Sequence, residues 1–273
     1  MKIREEYNKN GFVKIPNFLP QEILDQIRSN CKDFFLRQIR RNKIQVDGDS
    51  ESDFEKALYE LFRVDYAGFI GAAKLCQHQI DLFVFSGHST ITSALRDLGL
   101  EKPTICVKPI VYFNSPHIAK QEGHFKTPAH QDWRSMQGSI NSTVVWIPLI
   151  NIDKDLGALE VIPGSHHWGL VDSEKDEWYR KLNSEKIKEE SWKSLEVSKG
   201  DMVCFHSLLV HRSGNNVSGK IRWSMHFRYN DAYESTFINR AYPHPYIVYQ
   251  PGQELLFPDF NPGEELKKYL DGL

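Results

Sequence analysis

KGDMVCFHSLLVHRSG (199–214) is the stretch that decides the fold. It reads as a turn, a strand and a histidine, His211, carried just beyond that strand. Working outward, STVVWIPLIN (142–151) is a strand-like run of β-branched and aromatic residues. GALEVIPGSHHWG (157–169) is a strand that ends in a Pro-Gly turn. KIRWSMHFRYND (220–231) alternates and closes the series. At least four short strands separated by turn signals predict a sandwich or barrel.

A second motif stands upstream. PAHQDW (128–133) places His130 and Asp132 two residues apart. On a strand, residues i and i+2 point to the same face, so both can converge on one ion without a special turn. Such a pair by itself fits a hydrogen-bonded His–Asp couple equally well. With His211 added, two histidines and one carboxylate form the facial triad of non-haem Fe(II) sites, which leaves coordination positions open. Eleven residues after His211 comes Arg222. One strand beyond the distal histidine, its fork suits a two-pronged grip on a carboxylate. These residues together predict oxidation of a small molecule by O2.

The chain resembles the phytanoyl-CoA dioxygenase family of Fe(II)- and 2-oxoglutarate-dependent oxygenases. The resemblance is carried by HQDW (130–133), WIPL (146–149), GALEVIPGSHHWG (157–169), GDMVCFHSLLVHRSGNN (200–216) and IRWSMHFRY (221–229). The opening YNKNGFVKIPNFLPQEILDQI (7–27) resembles the family's N-terminal strand and helix. The resemblance implies a mainly β fold with flanking helices: a double-stranded β-helix (jelly-roll, cupin-like) barrel packed against N-terminal helices. It implies His130, Asp132 and His211 as ligands of Fe(II), with 2-oxoglutarate and O2 as co-substrates. It also implies Arg222 and Ser213 on the distal carboxylate of 2-oxoglutarate, Trp146 lining that pocket and Tyr112 contacting it. Halogenating relatives carry a small residue where Asp132 stands, so hydroxylation of a C–H bond, with release of succinate and CO2, is expected over halogenation.

The rest of the chain frames this site. At 273 residues it reads as a single domain: a mainly helical part over 1–103, the catalytic barrel over 104–230 and a C-terminal wrap over 231–273 ending in a short helix, PGEELKKYL. QEILDQIRSNCKDFFLRQI and DFEKALYELFRVDYAGFIGAAKL carry helical periodicity, with Pro20 near the start of the first and Asp53 as N-cap of the second. A hydrophobic content of 40% supports a sizeable core, and a net charge of −2 gives no overall pull toward nucleic acid. Arg37, Arg40, Arg41 and Lys43 read as a solvated helix end. Cys31, Cys76, Cys106 and Cys204 form no CxxC pair and no zinc-type spacing, and free thiols suit a reducing cytoplasm. No signal peptide and no membrane span are expected, nor any nucleic-acid or membrane partner; a monomer or homodimer acting on a small molecule is.

Two polar insertions flank the strands. NSPHIAKQEGHFKTP (114–128) is expected as a lid beside the metal strand. DSEKDEWYRKLNSEKIKEESWKSLE (172–196) reads as a solvated amphipathic helix with Trp178, Tyr179 and Leu182 packed inward, ahead of the alternative of a second lid. His206 lies at an odd offset from His211 and faces away from it, whereas His226 shares the face of Arg222. Trp133, Arg134 and Gln137 are candidates for the substrate mouth, and with Gln121, His117 and His124 they point to a polar metabolite, a sugar derivative or a natural-product intermediate. The rival classes are a cupin-like metalloenzyme without 2-oxoglutarate (an isomerase or a thiol dioxygenase) and a non-catalytic ligand-binding barrel. Succinate formation separates all three.

Overall fold

The computed structural model describes residues 2–120, 125–175, 180–182 and 187–243. Its N-terminal part runs α1 (Lys2–Asn10), β1 (Phe12–Ile15), α2 (Gln21–Arg41), α3 (Glu51–Val64), α4 (Tyr66–Cys76), α5 (Ile80–Ser86) and α6 (Ser89–Leu98). Leu24, Ile27, Cys31, Phe35 and Ile39 form one buried stripe on α2, as its periodicity requires. The run expected as one helix from Asp53 onward is two. Ser50, not Asp53, caps the first: its hydroxyl accepts from Asp53 N at 3.2 Å and donates to the Asp53 carboxylate at 2.6 Å. Asp65 ends that helix and starts the next, because its carboxylate accepts from Gly68 N at 2.9 Å.

The strands follow as β2 (Pro103–Ile105), β3 (Ile110–Asn114), β4 (Thr143–Pro148), β5 (Leu159–Val161), β6 (Ser173–Lys175), β7 (Arg180–Leu182), β8 (Lys193–Leu195), β9 (Met202–His206), β10 (His211–Ser213) and β11 (Arg222–Asp231). Two short helices, α7 (Trp133–Met136) and α8 (Ser235–Asn239), complete the described elements used below. The larger sheet has the order β1-β9-β4-β11-β2, with β3 also paired to β11; the smaller has the order β10-β5-β8. Every pairing in them is antiparallel.

Side-chain alternation assigns each face of the larger sheet to a different core. Val145 and Ile147 of β4, Met202 and Cys204 of β9, and Trp223, Met225, Phe227 and Tyr229 of β11 pack with the helices. Their neighbours Val144, Trp146, Val203 and Phe205 pack with Leu159, Val161 and Leu195 of the smaller sheet. The result is three layers: helices, larger sheet, smaller sheet. This is the expected double-stranded β-helix in an open form. Among the described residues the two sheets do not close into one hydrogen-bonded barrel.

The 172–196 insertion is not the helix that was expected. Ser173–Lys175 and Arg180–Leu182 pair as an antiparallel ribbon, and Lys193–Leu195 joins the smaller sheet. Leu182 is buried, but with Ile162, Val171 and Val210 beside the smaller sheet; Trp178 and Tyr179 lie outside the described residues. So do most of the C-terminal wrap and its end helix. The 114–128 segment is held by the helical layer in its first part. His117 stacks on Tyr59 of α3 at 4.9 Å, and the Lys120 ammonium lies 3.5 Å from the Tyr66 ring centre. No helix among the described residues is long and apolar enough to cross a membrane.

Asp231 ties the end of β11 to its surroundings. Its buried carboxylate accepts from Glu101 N and Lys102 N at 2.9 Å, and from Tyr233 N and Asn141 Nδ2 at 3.1 Å. Burial opposes its ionisation, but these donors outweigh it and hold the carboxyl below the ordinary aspartate range. Asp231→Ala should therefore lower stability by about 1.5–3 kcal/mol, the range for hydrogen bonds to a charged group. In denaturant titrations this contribution should be complete above about pH 4, the ordinary value for aspartate, and fade as pH falls through the lower folded value. Equal stability of variant and wild type at neutral pH would refute the assignment.

Candidate metal centre

His130 and His211 are brought together by backbone pairing. His130 N donates to His211 O at 3.0 Å and His211 N to His130 O at 3.1 Å, so the two residues face each other across an antiparallel bridge. Their rings lie side by side, 4.1 Å between centroids. Strand pairing ends there. Asp132 has helical dihedrals (φ −64°, ψ −28°) and leads into α7. The same-face spacing expected of an extended HxD strand is thus replaced by a turn into a helix, and the three side chains still converge. Gln131 between them fixes the turn: its amide donates to Gly169 O at 2.8 Å and Leu208 O at 2.7 Å, and accepts from Val171 N at 2.9 Å.

Both imidazoles are oriented from behind. His130 Nδ1 bonds Pro128 O at 2.8 Å and His211 Nδ1 bonds Leu209 O at 3.0 Å, which turns each Nε2 toward Asp132. His130 Nε2 is 3.8 Å from Asp132 Oδ1, and His211 Nε2 is 3.7 Å from Oδ2. One ligand atom from each residue lies within 4.8 Å of the other two. Burial lowers the pKa of both histidines, that of His211 to about 3, which keeps them in the neutral, ligating form. Burial alone would raise Asp132, but the Arg228 guanidinium and the histidines hold its carboxyl well below the usual range. Asp132 Oδ2 is buried with no hydrogen-bond partner. Two neutral imidazole nitrogens and an unshared carboxylate oxygen fit a divalent iron.

The inner face of β11 forms the wall beside this triad. Arg222, Ser224, His226 and Arg228 alternate with the four apolar residues turned to the helices. Arg222 donates to Gly157 O and, at 3.3 Å, to Ser213 Oγ; its Nε is buried without a partner. Among the described residues no carboxylate forms a salt bridge with it, and burial lowers its pKa to about 10, with Tyr112 opposing. Ser213 shares a strand face with His211, two residues before it. Tyr112 packs its ring 4.7 Å from that of His226, and Trp146 sits opposite His226 in register. Arg222, Ser213, Tyr112 and Trp146 therefore gather on one wall.

The mouth candidates are engaged elsewhere. Arg134 donates to Val171 O, the Gln137 amide returns to Arg134 O at 3.2 Å, and the Trp133 ring lies under the Arg240 guanidinium at 5.6 Å. None of these contacts is with a triad residue. Gln121 and His124 lie outside the described residues. His206 turns to the α1 side, 6.3 Å from the Tyr7 ring, as its odd offset requires. His166 and His167 both bond Asn8 O, so the PGSHHWG turn serves to anchor α1. Arg228 was missed in the sequence, although it stands an even six residues from Arg222. That parity was the available signal.

His211→Ala should weaken Fe(II) binding by about 10–100-fold or more, since even losses behind the ligands cost that much. Anaerobic titration with Fe(II) measures it. An unchanged affinity would remove His211 from the centre.

A family profile described as Phytanoyl-CoA dioxygenase (PhyH) matches residues 7–224. The peroxisomal phytanoyl-CoA dioxygenase of Bos taurus is 24% identical over 238 residues, covering 84% of this chain and 68% of its own length. The 1-deoxypentalenic acid 11-beta-hydroxylase of Streptomyces exfoliatus is 27% identical over 156 residues, covering 50% of this chain and 55% of its own. Among solved structures, the epimerase SnoN in complex with Fe3+, alpha ketoglutarate and nogalamycin RO superposes with a TM-score of 0.57 at 17% identity, over 92% of this chain and 91% of SnoN.

Proposed function

The chain belongs to the phytanoyl-CoA dioxygenase family, and on that premise we propose that it hydroxylates a C–H bond of a small polar metabolite, a sugar derivative or natural-product intermediate, releasing succinate and CO2. The family uses Fe(II), 2-oxoglutarate and O2, and the chain is an oxygenase of that class. The observation that carries the reading is Arg222: a buried guanidinium whose partners among the described residues are neutral, on the wall beside a complete His-Asp-His set. A dehydrated cation of this kind favours an anion in its pocket. A cupin-like metalloenzyme without 2-oxoglutarate, or a passive binding barrel, gives that charge no counter-ion.

Bound Fe(II) and 2-oxoglutarate supply the oxidising chemistry by coupling decarboxylation of the co-substrate to activation of O2. In our reading the protein contributes holding, orientation and exclusion of water. His130, Asp132 and His211 hold the iron on one side. Arg222 grips the distal carboxylate of 2-oxoglutarate, with Ser213 beside it. Trp146, 1% exposed, and the half-buried Tyr112 line the wall. Asp132 would be a third holder of the metal where halogenating relatives carry a small residue, so insertion of oxygen is expected over chlorination.

Arg134 and Gln137 are tied to the protein itself, Arg134 to Val171 O and Gln137 to Arg134 O. The polar inner face of β11, with Ser224 and His226, and the Streptomyces relative, a hydroxylase named for 1-deoxypentalenic acid, support a polar or natural-product substrate. Four buried free thiols suit action in the reducing cytoplasm.

Arg222→Lys keeps the charge but loses the planar fork, so the KM for 2-oxoglutarate should rise while iron affinity holds. An unchanged KM in both Arg222→Lys and Arg222→Ala would exclude Arg222 from the pocket. The function itself is tested by screening metabolites for succinate release, then running the best substrate under 18O2 in chloride buffer. A product carrying one 18O is expected. A chlorinated product refutes the role given to Asp132, and a product of unchanged mass with an inverted stereocentre makes the enzyme an epimerase.

A further inference from the structure

We infer that Arg228 is a positioning residue that restricts Asp132 to one metal-facing oxygen, a conclusion that rests on the metal-centre reading above. The carboxylate presents two oxygens in two different situations. Oδ1 lies 3.8 Å from His130 Nε2 but accepts from Arg228 Nη2 at 3.0 Å, and both side chains are buried, 10% and 4% exposed. Oδ2 has no hydrogen-bond partner and lies 3.7 Å from His211 Nε2. An ionised carboxylate can use both oxygens on one cation. Here the guanidinium occupies one of them, so the carboxylate takes a single coordination position and the others stay open to co-substrates.

The base of the guanidinium is rigid. Arg228 sits inside the longest strand of the larger sheet, paired to Val144 of β4 on one side, and its carbonyl accepts from Cys106 N at 2.8 Å on the other. Phe227 and Tyr229 on either side of it are sunk in the helical core, which fixes the direction of its side chain. Asp132, in contrast, stands on a short turn into α7 and has no strand of its own to orient it. The orientation of its carboxylate must come from a partner, and a planar fork on a fixed strand supplies one. Arg222 projects from the same face of the same strand, so β11 serves the co-substrate pocket at one end and the metal ligand at the other.

The test uses Co(II) as the probe, with wild type, Arg228→Lys and Arg228→Gln. Visible absorption reports the ligand arrangement around Co(II), titration reports affinity, and thermal melting of the metal-free proteins reports folding. With Gln, Oδ1 loses its cation: the Co(II) spectrum should change and affinity should fall by about 10–100-fold, the usual loss behind a metal ligand. With Lys, which keeps a charged donor but not the planar group, affinity should return toward wild type while the Co(II) spectrum stays altered. If Arg228→Gln does not fold, Arg228→Lys decides alone, because loss of the fork should still alter its spectrum. A purely structural Arg228 would lower the melting temperature and leave Co(II) spectrum and affinity as in wild type for every folded variant; that result overturns the inference. Wild-type protein that binds no Co(II) would instead overturn the metal-centre reading.

Discussion

The structure depends on the two-residue alternation of β11. Trp223, Met225, Phe227 and Tyr229 are buried against the helices, and this forces Arg222, Ser224, His226 and Arg228 to the opposite face, away from water. Burying large side chains stabilises by roughly 1.5–3 kcal/mol each, enough to hold a strand whose other face is costly to dehydrate. A slip of one residue would exchange the faces, driving two guanidinium groups into the helical core and four apolar side chains into the site. The register of the larger sheet is therefore also the register of the site.

The electrostatics follow from that placement. One buried guanidinium, Arg228, is paired with Asp132, while the other, Arg222, meets only neutral oxygens among the described residues. The two arginines are six residues apart on one strand, and in the proposed reading one orients a ligand of the metal while the other meets an anion from outside. The histidines are kept neutral by burial and oriented by backbone carbonyls, so no proton has to leave them before they bind a cation.

Much of this was legible in the sequence because it rests on short-range patterns. The strands at 142–151, 157–169, 199–214 and 220–231 carry β-branched residues, turns and alternation that local sterics enforce. His130, Asp132, His211 and Arg222 are readable from their order and spacing, whereas Ser213 enters only through the resemblance to the family. What was missed depends on longer-range contacts. Asp132 was expected on a strand, but Gln131 holds three backbone groups from the 169–171 and 208 segments and turns the chain there. The 172–196 stretch has helical periodicity in part, yet its described strands form a ribbon and a sheet edge and only Glu189–Ser191 makes a short 3-10 turn, because β5 offers Lys193–Leu195 a pairing partner. Ser50 was passed over for Asp53 because the two residues cap reciprocally, and composition does not rank them. Arg228 went unremarked because its partner, Asp132, is far away in sequence.

The most direct measurement of the central claim is the visible absorption of anaerobic, Fe(II)-loaded protein as 2-oxoglutarate is added. Chelation by the keto and carboxylate oxygens of the co-substrate, with its distal carboxylate on Arg222, predicts a charge-transfer band that saturates at one equivalent and is absent with glutarate, which lacks the keto group. The absence of such a band, or an identical response to glutarate, would contradict the account of a facial iron site walled by a buried, unneutralised arginine.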